Sequence, residues 1–536
     1  MINTPSGKSR KGRSPIVLAM AVLTALVLSL GTFTLCIDNS SDADGTTVHV
    51  NTWGELQNAL KNCGDYDVII LDSDIDLNED SDEEEVKDVN NLTVDLNGHT
   101  IDGNHYEHSL HEGRFFHIGE NAVVVVMNGT LTNGFDDDGG CAYVEEEGDL
   151  RFQNVNVINC GSSDDGAAIF VNGGYFVMNG GMIDECDSSD NAGAIYVNNG
   201  AYIELTDVQI TNNHARGHGG AIEFTELSEG LIKNCTFQHD YCKDEGGALF
   251  IEDKSGVYLD NCKFIENGSS QGDHGGALYL NDAMIIINCC SFQKNEAGAH
   301  GGAIYAVDSD MQIISDGEHN DFTGNSSWES GGAMFIKGSS VKIKFADFKD
   351  NGAAQLNSSD KGEGGAIFID DDSVVYLEFC TFIGNKAKTN GGGIVIEDDD
   401  NISLYMNNLV VIKDNKIATN EETFSDSNLV IRSDLRINCG FLTYDSEIWI
   451  ALDGGERVFT SNFSTNNPGK DPALFFKSTD TNRYVAADPD SKEARLYGGS
   501  AGDMSDDNTI IIAIVAAVIV ALVVVGGIVY FRTRKV

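Results

Sequence analysis

CKFIENGSSQGDHGGALYL, residues 262–280, combines a Cys-x-Phe-x-x-Asn word, a polar run and a Gly-Gly-Ala word followed by aliphatic residues. Nearly the same sequence returns through the middle of the chain. Aligned on its alanine, the word recurs at Ala142, Ala168, Ala194, Ala221, Ala248, Ala277, Ala303, Ala333 and Ala366, with Gly393 in the tenth place, in steps of 26, 26, 27, 27, 29, 26, 30, 33 and 27. A second column keeps the same beat: Val157, Ile183, Ile210, Phe237, Phe264, Phe292, Phe322, Phe348 and Phe382. Three residues after each stands Cys160, Cys186, Asn213, Asp240, Asn267, Asn295, Asn325, Asn351 or Asn385. Columns that stay in step over so many periods mark a solenoid.

The apolar stretches between these landmarks are only three to five residues long and rich in Ile, Val, Phe and Tyr, with Gly, Asn and Asp between them. That is strand and turn chemistry. The first and third places after most of these alanines are aliphatic, as in Ile195 with Val197 and Leu278 with Leu280, so alternation turns them to one face, inward. A second short strand follows, such as Val257 to Leu259, and a third lies around Cys262 to Phe264. The expected fold is all-β: a right-handed parallel β-helix whose coils stack about 4.8 Å apart. One coil cannot bury its own apolar face, so the word repeats because it is one rung.

Upstream, Leu96 to Gly103 keeps the strand–turn rhythm without the Gly-Gly-Ala word. Before it, Trp53, Leu56 and Leu60 have helical spacing, which predicts a short amphipathic helix capping the open N-terminal end. Glu79 to Asp88 reads as an acidic loop. The period blurs after residue 400, but short strands persist.

The ends of the chain read differently. Residues 1–36 carry Lys8, Arg10, Lys11 and Arg13 before an apolar run, as in a signal sequence or signal anchor. Residues 509–531 are an uninterrupted apolar run long enough to span a bilayer, followed by Arg532, Arg534 and Lys535, which predicts a transmembrane helix with a cytoplasmic tail at 532–536. The expected plan is therefore a β-helix at 45–400, further coils and a C-terminal cap at 401–498, a linker at 499–508, then the membrane helix. The region between the termini faces outside and holds all 84 acidic residues of a chain whose formal net charge is −50. Such a surface repels nucleic acid and attracts cations.

The Gly-Gly-Ala-Ile/Leu and Phe-x-x-Asn words resemble the repeats of the polymorphic outer membrane proteins of chlamydiae, and also the adhesin-like surface proteins of methanogenic archaea with their pectate-lyase-like β-helices. The start at Leu96 to Gly103 is similar to that of many such β-helices. The resemblance covers roughly residues 45–400. It implies a cell-surface β-helix with adhesion as its usual role. The chlamydial proteins end in an outer-membrane barrel, whereas this chain ends in an apolar run, which suits the archaeal group better.

Several residue sets are candidates for chemistry. The second place after each alanine carries Phe170, Tyr196, Phe250, Tyr279, Tyr305, Phe335 and Phe368, with Glu223 interrupting. By parity these leave the core, either as a platform for sugar rings or a partner, or stacked on one another beneath the turns. The residue before each Gly-Gly pair runs His218, Glu245, His274 and His300 over four rungs, which could bring two imidazoles and a carboxylate to one divalent cation, or simply form a polar turn column. No other cofactor is implied. A polysaccharide hydrolase would need paired carboxylates near a Gly-His-Gly; Asp164 and Asp165 lie two coils from Gly217, His218 and Gly219. A surface lyase or hydrolase, and a structural spacer of the envelope, are the alternatives to an adhesin that binds a glycan or another cell. The cysteines read as buried thiols, since Cys235, Cys262 and Cys290 share one column. Among the Asn-x-Ser/Thr sites, Asn357 and Asn462 are the expected glycan acceptors, because Asn267 and Asn325 also belong to the Phe-x-x-Asn column.

Overall fold

A computed structural model describes residues 46–499 apart from 78–84, 87–88, 90, 105–112, 316–317, 355–361, 399–400, 419–422, 433 and 454. The chain winds as a right-handed parallel β-solenoid of about 14 turns. The register through the rungs is continuous: Ile169, Ile195, Ile222, Leu249, Leu278, Ile304, Met334, Ile367, Ile394 and Leu429 pair in sequence. All but Leu429 lie on the strand that follows the Gly-Gly-Ala word or its variant, and each is fully buried.

One coil shows the plan. Its strands are Leu249–Ile251, Gly256–Asp260, Lys263–Ile265 and Gly268–Gln271. Alternation puts Leu249, Ile251, Val257, Leu259 and Phe264 inside. Sharp corners separate the strands. Asn261 and Glu266 turn them with left-handed backbone at φ 53° and 55°, and each corner recurs at the same place in the other coils. The fourth strand is an element the sequence reading did not contain. It forms its own ladder of short strands, parallel from Phe135–Asp136 to Lys416–Ala418 and closed by one antiparallel partner, Phe424–Asp426.

Two stacks fill the interior. Phe237, Phe264, Phe292, Phe322, Phe348 and Phe382 pile with ring centroids 4.6–4.8 Å apart, the strand spacing itself. Each such ring is worth roughly 2–3 kcal/mol of burial. Beside them runs an asparagine ladder: each side-chain oxygen accepts the backbone N–H and amide of the coil before, as Asn295 does from Asn267 at 3.0 Å for both. Cys235, Cys262 and Cys290 are buried free thiols in one column, and burial raises the Cys235 and Cys262 thiols.

The Gly-Gly pair has a steric cause. Gly301 sits at φ 68°, and a Cβ on Gly302 would lie 2.2 Å from the Gly332 carbonyl oxygen of the next coil. The chain passes too close to itself there for any side chain.

At the N-terminal end the helix Trp53–Lys61 buries Trp53, Leu56, Ala59 and Leu60 against the first coil, and the Thr52 hydroxyl caps it. At the other end coils continue through Ile437–Leu442, Glu447–Leu452 and Phe476–Ser478, and an antiparallel hairpin, Arg483–Ala487 with Ala494–Gly498, follows them. Among the described residues no helix is long and apolar enough to cross a membrane. The spans expected at 1–36 and 509–531, the tail at 532–536 and the acceptor Asn357 lie outside the described residues.

Candidate functional site

The aromatic row does leave the main core, and it stacks from coil to coil. Centroid distances are 5.0 Å for Phe170 to Tyr196, 5.0 Å for Phe250 to Tyr279, 5.3 Å for Tyr279 to Tyr305 and 5.0 Å for Phe335 to Phe368. The exposed platform is not formed, however. Phe170, Phe250, Tyr305, Phe335 and Phe368 are all buried, with Tyr196 and Tyr279 half-buried. Towards the C-terminus the row merges with Val395 and Val430 into a second apolar layer. Its faces are spent on each other, and turn side chains cover it. The His218 ring lies 4.4 Å from Phe250, His274 4.4 Å from Tyr305 and His300 4.5 Å from Phe335. In each case the histidine comes from the coil before.

The turn column is itself a hydrogen-bond ladder. Asp165 accepts the backbone N–H of Asn191 at 3.0 Å, Asn191 that of His218 at 2.9 Å, His274 Nδ1 that of His300 at 3.4 Å and His300 Nδ1 that of Ser330 at 3.1 Å. The candidate metal ligands His218, Glu245, His274 and His300 are engaged in this ladder and with one another. His274 and His300 stack face to face at 5.1 Å with their Nδ1 atoms occupied, and His218 pairs with Glu245 at 3.0 Å. Among the described residues no three His, Cys, Asp or Glu side chains gather to hold a metal ion. Burial, then the neighbouring His274, pushes His300 down to about 4, and burial lowers His274. For His218 burial pulls down, but the hydrogen bond and charge of Glu245 outweigh it and the net shift is upward. Asp165, raised to about 6 by burial, and His218 are separated by the Asn191 coil, and both are committed to the ladder. A paired-carboxylate site is not assembled there.

Glu223 breaks the aromatic row between Tyr196 and Phe250. It is buried, with one carboxylate oxygen lacking a hydrogen-bond partner. Burial, then Asp165, Glu252 and Asp190, drives its pKa well upward and favours the neutral acid.

The open feature lies on the fourth strand. A cleft of about 760 Å³ is lined by Tyr241, Gly268, Ser270, Glu296 and Trp328. The column runs His214, Tyr241, Gly268, Glu296. The Tyr241 ring rests on His214 at 5.7 Å, and its hydroxyl lies 2.5 Å from the Ser270 hydroxyl. The Trp328 indole N–H donates to Glu296 at 2.6 Å. Along one rim Glu266 lies between His239 at 2.9 Å and Lys294 at 2.8 Å. Sequence reasoning missed this site along with its strand. Its signal was the column of small inward residues, Ser162, Ser188, Ala215, Cys242, Ser269, Ala297 and Ser327, one after each ladder corner.

Residues 115–292 match the family model of the right-handed β-helix region, residues 47–164 that of a pectate lyase-like adhesive domain, and residues 290–307 and 379–397 that of the Chlamydia polymorphic membrane protein repeat. The first repeat match holds Glu296 of the cleft. The chain is also similar to the "Probable outer membrane protein pmp20" of Chlamydia pneumoniae, 25% identical over 236 residues, which is 35% of this chain and 13% of that protein. No solved structure matches. The β-helix, the adhesive domain and the chlamydial repeat are thus present; the methanogen side of the resemblance rests on the sequence words alone.

Proposed function

We propose that this chain is a cell-surface adhesin whose solenoid body binds glycans or other cells. The observation that carries the reading is the adhesive-domain match at 47–164. Its coils run in unbroken register into the repeat-matched coils beyond, so the whole solenoid is one body. The excess of acidic residues keeps that body soluble and turns away polyanions. In this reading residues 1–36 direct export, 45–400 and 401–498 form the outer body, 499–508 link it, and 509–531 hold it in a cell membrane with 532–536 inside.

Adhesion is favoured over polysaccharide cleavage because Asp165 and His218 each spend an acceptor atom on a backbone N–H of the next coil. The test is incubation of the full chain, with and without calcium, with neutral and acidic polysaccharides, following retention and product release in the same samples. Retention without shortened products supports the adhesin. Release of shortened or unsaturated products overturns it in favour of a lyase or hydrolase.

A further inference from the structure

We propose that the cleft over Gly268 binds a neutral pyranose ring of a glycan, an inference that rests on the adhesin reading and gives it a place on the solenoid. Gly268 is not a glycine the backbone demands. Its φ is not left-handed, and an added Cβ would crowd the Glu296 carbonyl oxygen at 3.3 Å and touch Tyr241 Cδ2 at 3.6 Å, far milder than the 2.2 Å approach at Gly302. What the missing side chain provides is a gap in the outward column between Tyr241 and Glu296, whose strands lie two spacings, about 9–10 Å, apart. Gly161 and Gly352 stand in the same column, but only Gly268 has Tyr241 on one side and the Glu296–Trp328 pair on the other.

The walls are fixed in advance. Ser270 holds the tyrosine hydroxyl and Glu296 holds the indole, so little side-chain freedom is lost on binding. The register of this strand shifts between Gly268 and Gln271, at the floor of the cleft. A sugar ring has apolar C–H faces that pack on an aromatic plane, and hydroxyls that both donate and accept. The Glu266–Lys294 rim and Glu296 offer both kinds of partner at its edge. Two carboxylates in the cleft, within an acidic body, disfavour uronates and sulfated sugars.

The experiment titrates the full chain with neutral hexose and N-acetylhexosamine oligosaccharides and, in parallel, with oligogalacturonate. Tryptophan fluorescence, to which Trp328 contributes beside Trp53 and Trp449, is read in the variants that keep Trp328, and adhesion to glycan-coated surfaces is followed in all of them. The expected result is saturable binding of at least one neutral oligosaccharide, weakened at least about ten-fold by Gly268→Tyr, which fills the gap, and by Tyr241→Ala. Trp328→Ala, on an accessible side chain, serves if either variant fails to fold. Binding unchanged in these variants, or confined to oligogalacturonate, overturns the proposal. If wild-type adhesion persists in Gly268→Tyr, the cleft falls and the adhesin stands; if the wild type adheres to nothing, the adhesin reading falls with it.

Discussion

Asn213 gives both its backbone N–H and its side-chain amide to one oxygen of Asp240, each at 3.0 Å. Asp240 is the one acid in a ladder otherwise continued by Asn267, Asn295, Asn325, Asn351 and Asn385. In those coils the amide also donates to a carbonyl of the phenylalanine column, as Asn267 does to Phe237 at 3.1 Å and Asn295 to Phe264 at 3.0 Å. The second oxygen of Asp240 takes the place of that amide nitrogen. It is buried without a partner, and burial drives its pKa well upward. Burial thus favours the neutral form of Asp240 over the carboxylate.

Asp240→Asn is expected to complete the ladder. A folded-state pKa raised above the unfolded value near 4 means that the contribution of Asp240 is full below about pH 4 and is lost as pH rises towards the folded pKa. The variant should gain on the order of 1–3 kcal/mol at pH 7 and much less at pH 3.5. Urea unfolding at the two pH values measures this. An equal gain at both would mean that Asp240 is not held protonated.

Asn295→Ala removes a group that makes four hydrogen bonds to three residues. Its oxygen accepts twice from Asn267, and its amide donates to Asn325 at 2.9 Å and to Phe264. Buried donors and acceptors left unsatisfied cost about 1–3 kcal/mol each, so a loss of at least about 3 kcal/mol is expected in urea. The same burial forbids glycans on Asn267 and Asn325, both almost wholly inaccessible, whereas Asn462 is exposed. Peptide mass mapping from a glycosylating host should find sugar on Asn462 and none on the ladder residues.

Much of this architecture was legible because a coil repeats short-range signals: two-residue alternation, Gly-Gly at a close approach, Phe-x-x-Asn before a corner. The helix Trp53–Lys61 was legible from apolar spacing alone. The fourth strand was not, since Gly268 and Ser269 offer no apolar run; only comparison of Ser162, Ser188 and Ala215 across coils exposes it. The aromatic row failed differently. Parity correctly takes Phe250 out of the core, but whether it is exposed depends on His218, more than thirty residues away in another coil. The histidines looked like ligands because Asp165, Asn191 and His218 share one property, an acceptor atom just beyond Cβ, which serves a backbone N–H as readily as a metal.

His300 should make the solenoid acid-sensitive. Its Nδ1 accepts from Ser330 while Nε2 faces Glu329 at 3.2 Å, an arrangement met by the neutral ring with its proton on Nε2. With the folded pKa near 4 and the unfolded one near 6.5, its stabilisation is present above about pH 6.5 and is lost as pH falls through that window. His300→Asn keeps an acceptor for Ser330, as Asn191 does for His218, and should flatten the stability profile between pH 6.5 and 4. Thermal melting across that range reads it; an unchanged slope would assign the acid sensitivity to other groups.

Phe335→Ala separates structural from binding aromatics. Phe335 is packed between Tyr305 at 5.2 Å and Phe368 at 5.0 Å, and His300 lies over it. Truncation opens a cavity in the second apolar layer and should cost about 3–5 kcal/mol, with its footprint in neighbouring coils because the row is continuous. Tyr241 touches His214 on one side and the cleft on the other, so Tyr241→Ala should cost less stability and far more oligosaccharide binding. If Phe335→Ala instead abolished binding while melting normally, the row beneath the histidines would be the recognition surface, and the turns above it would have to open to admit a ligand.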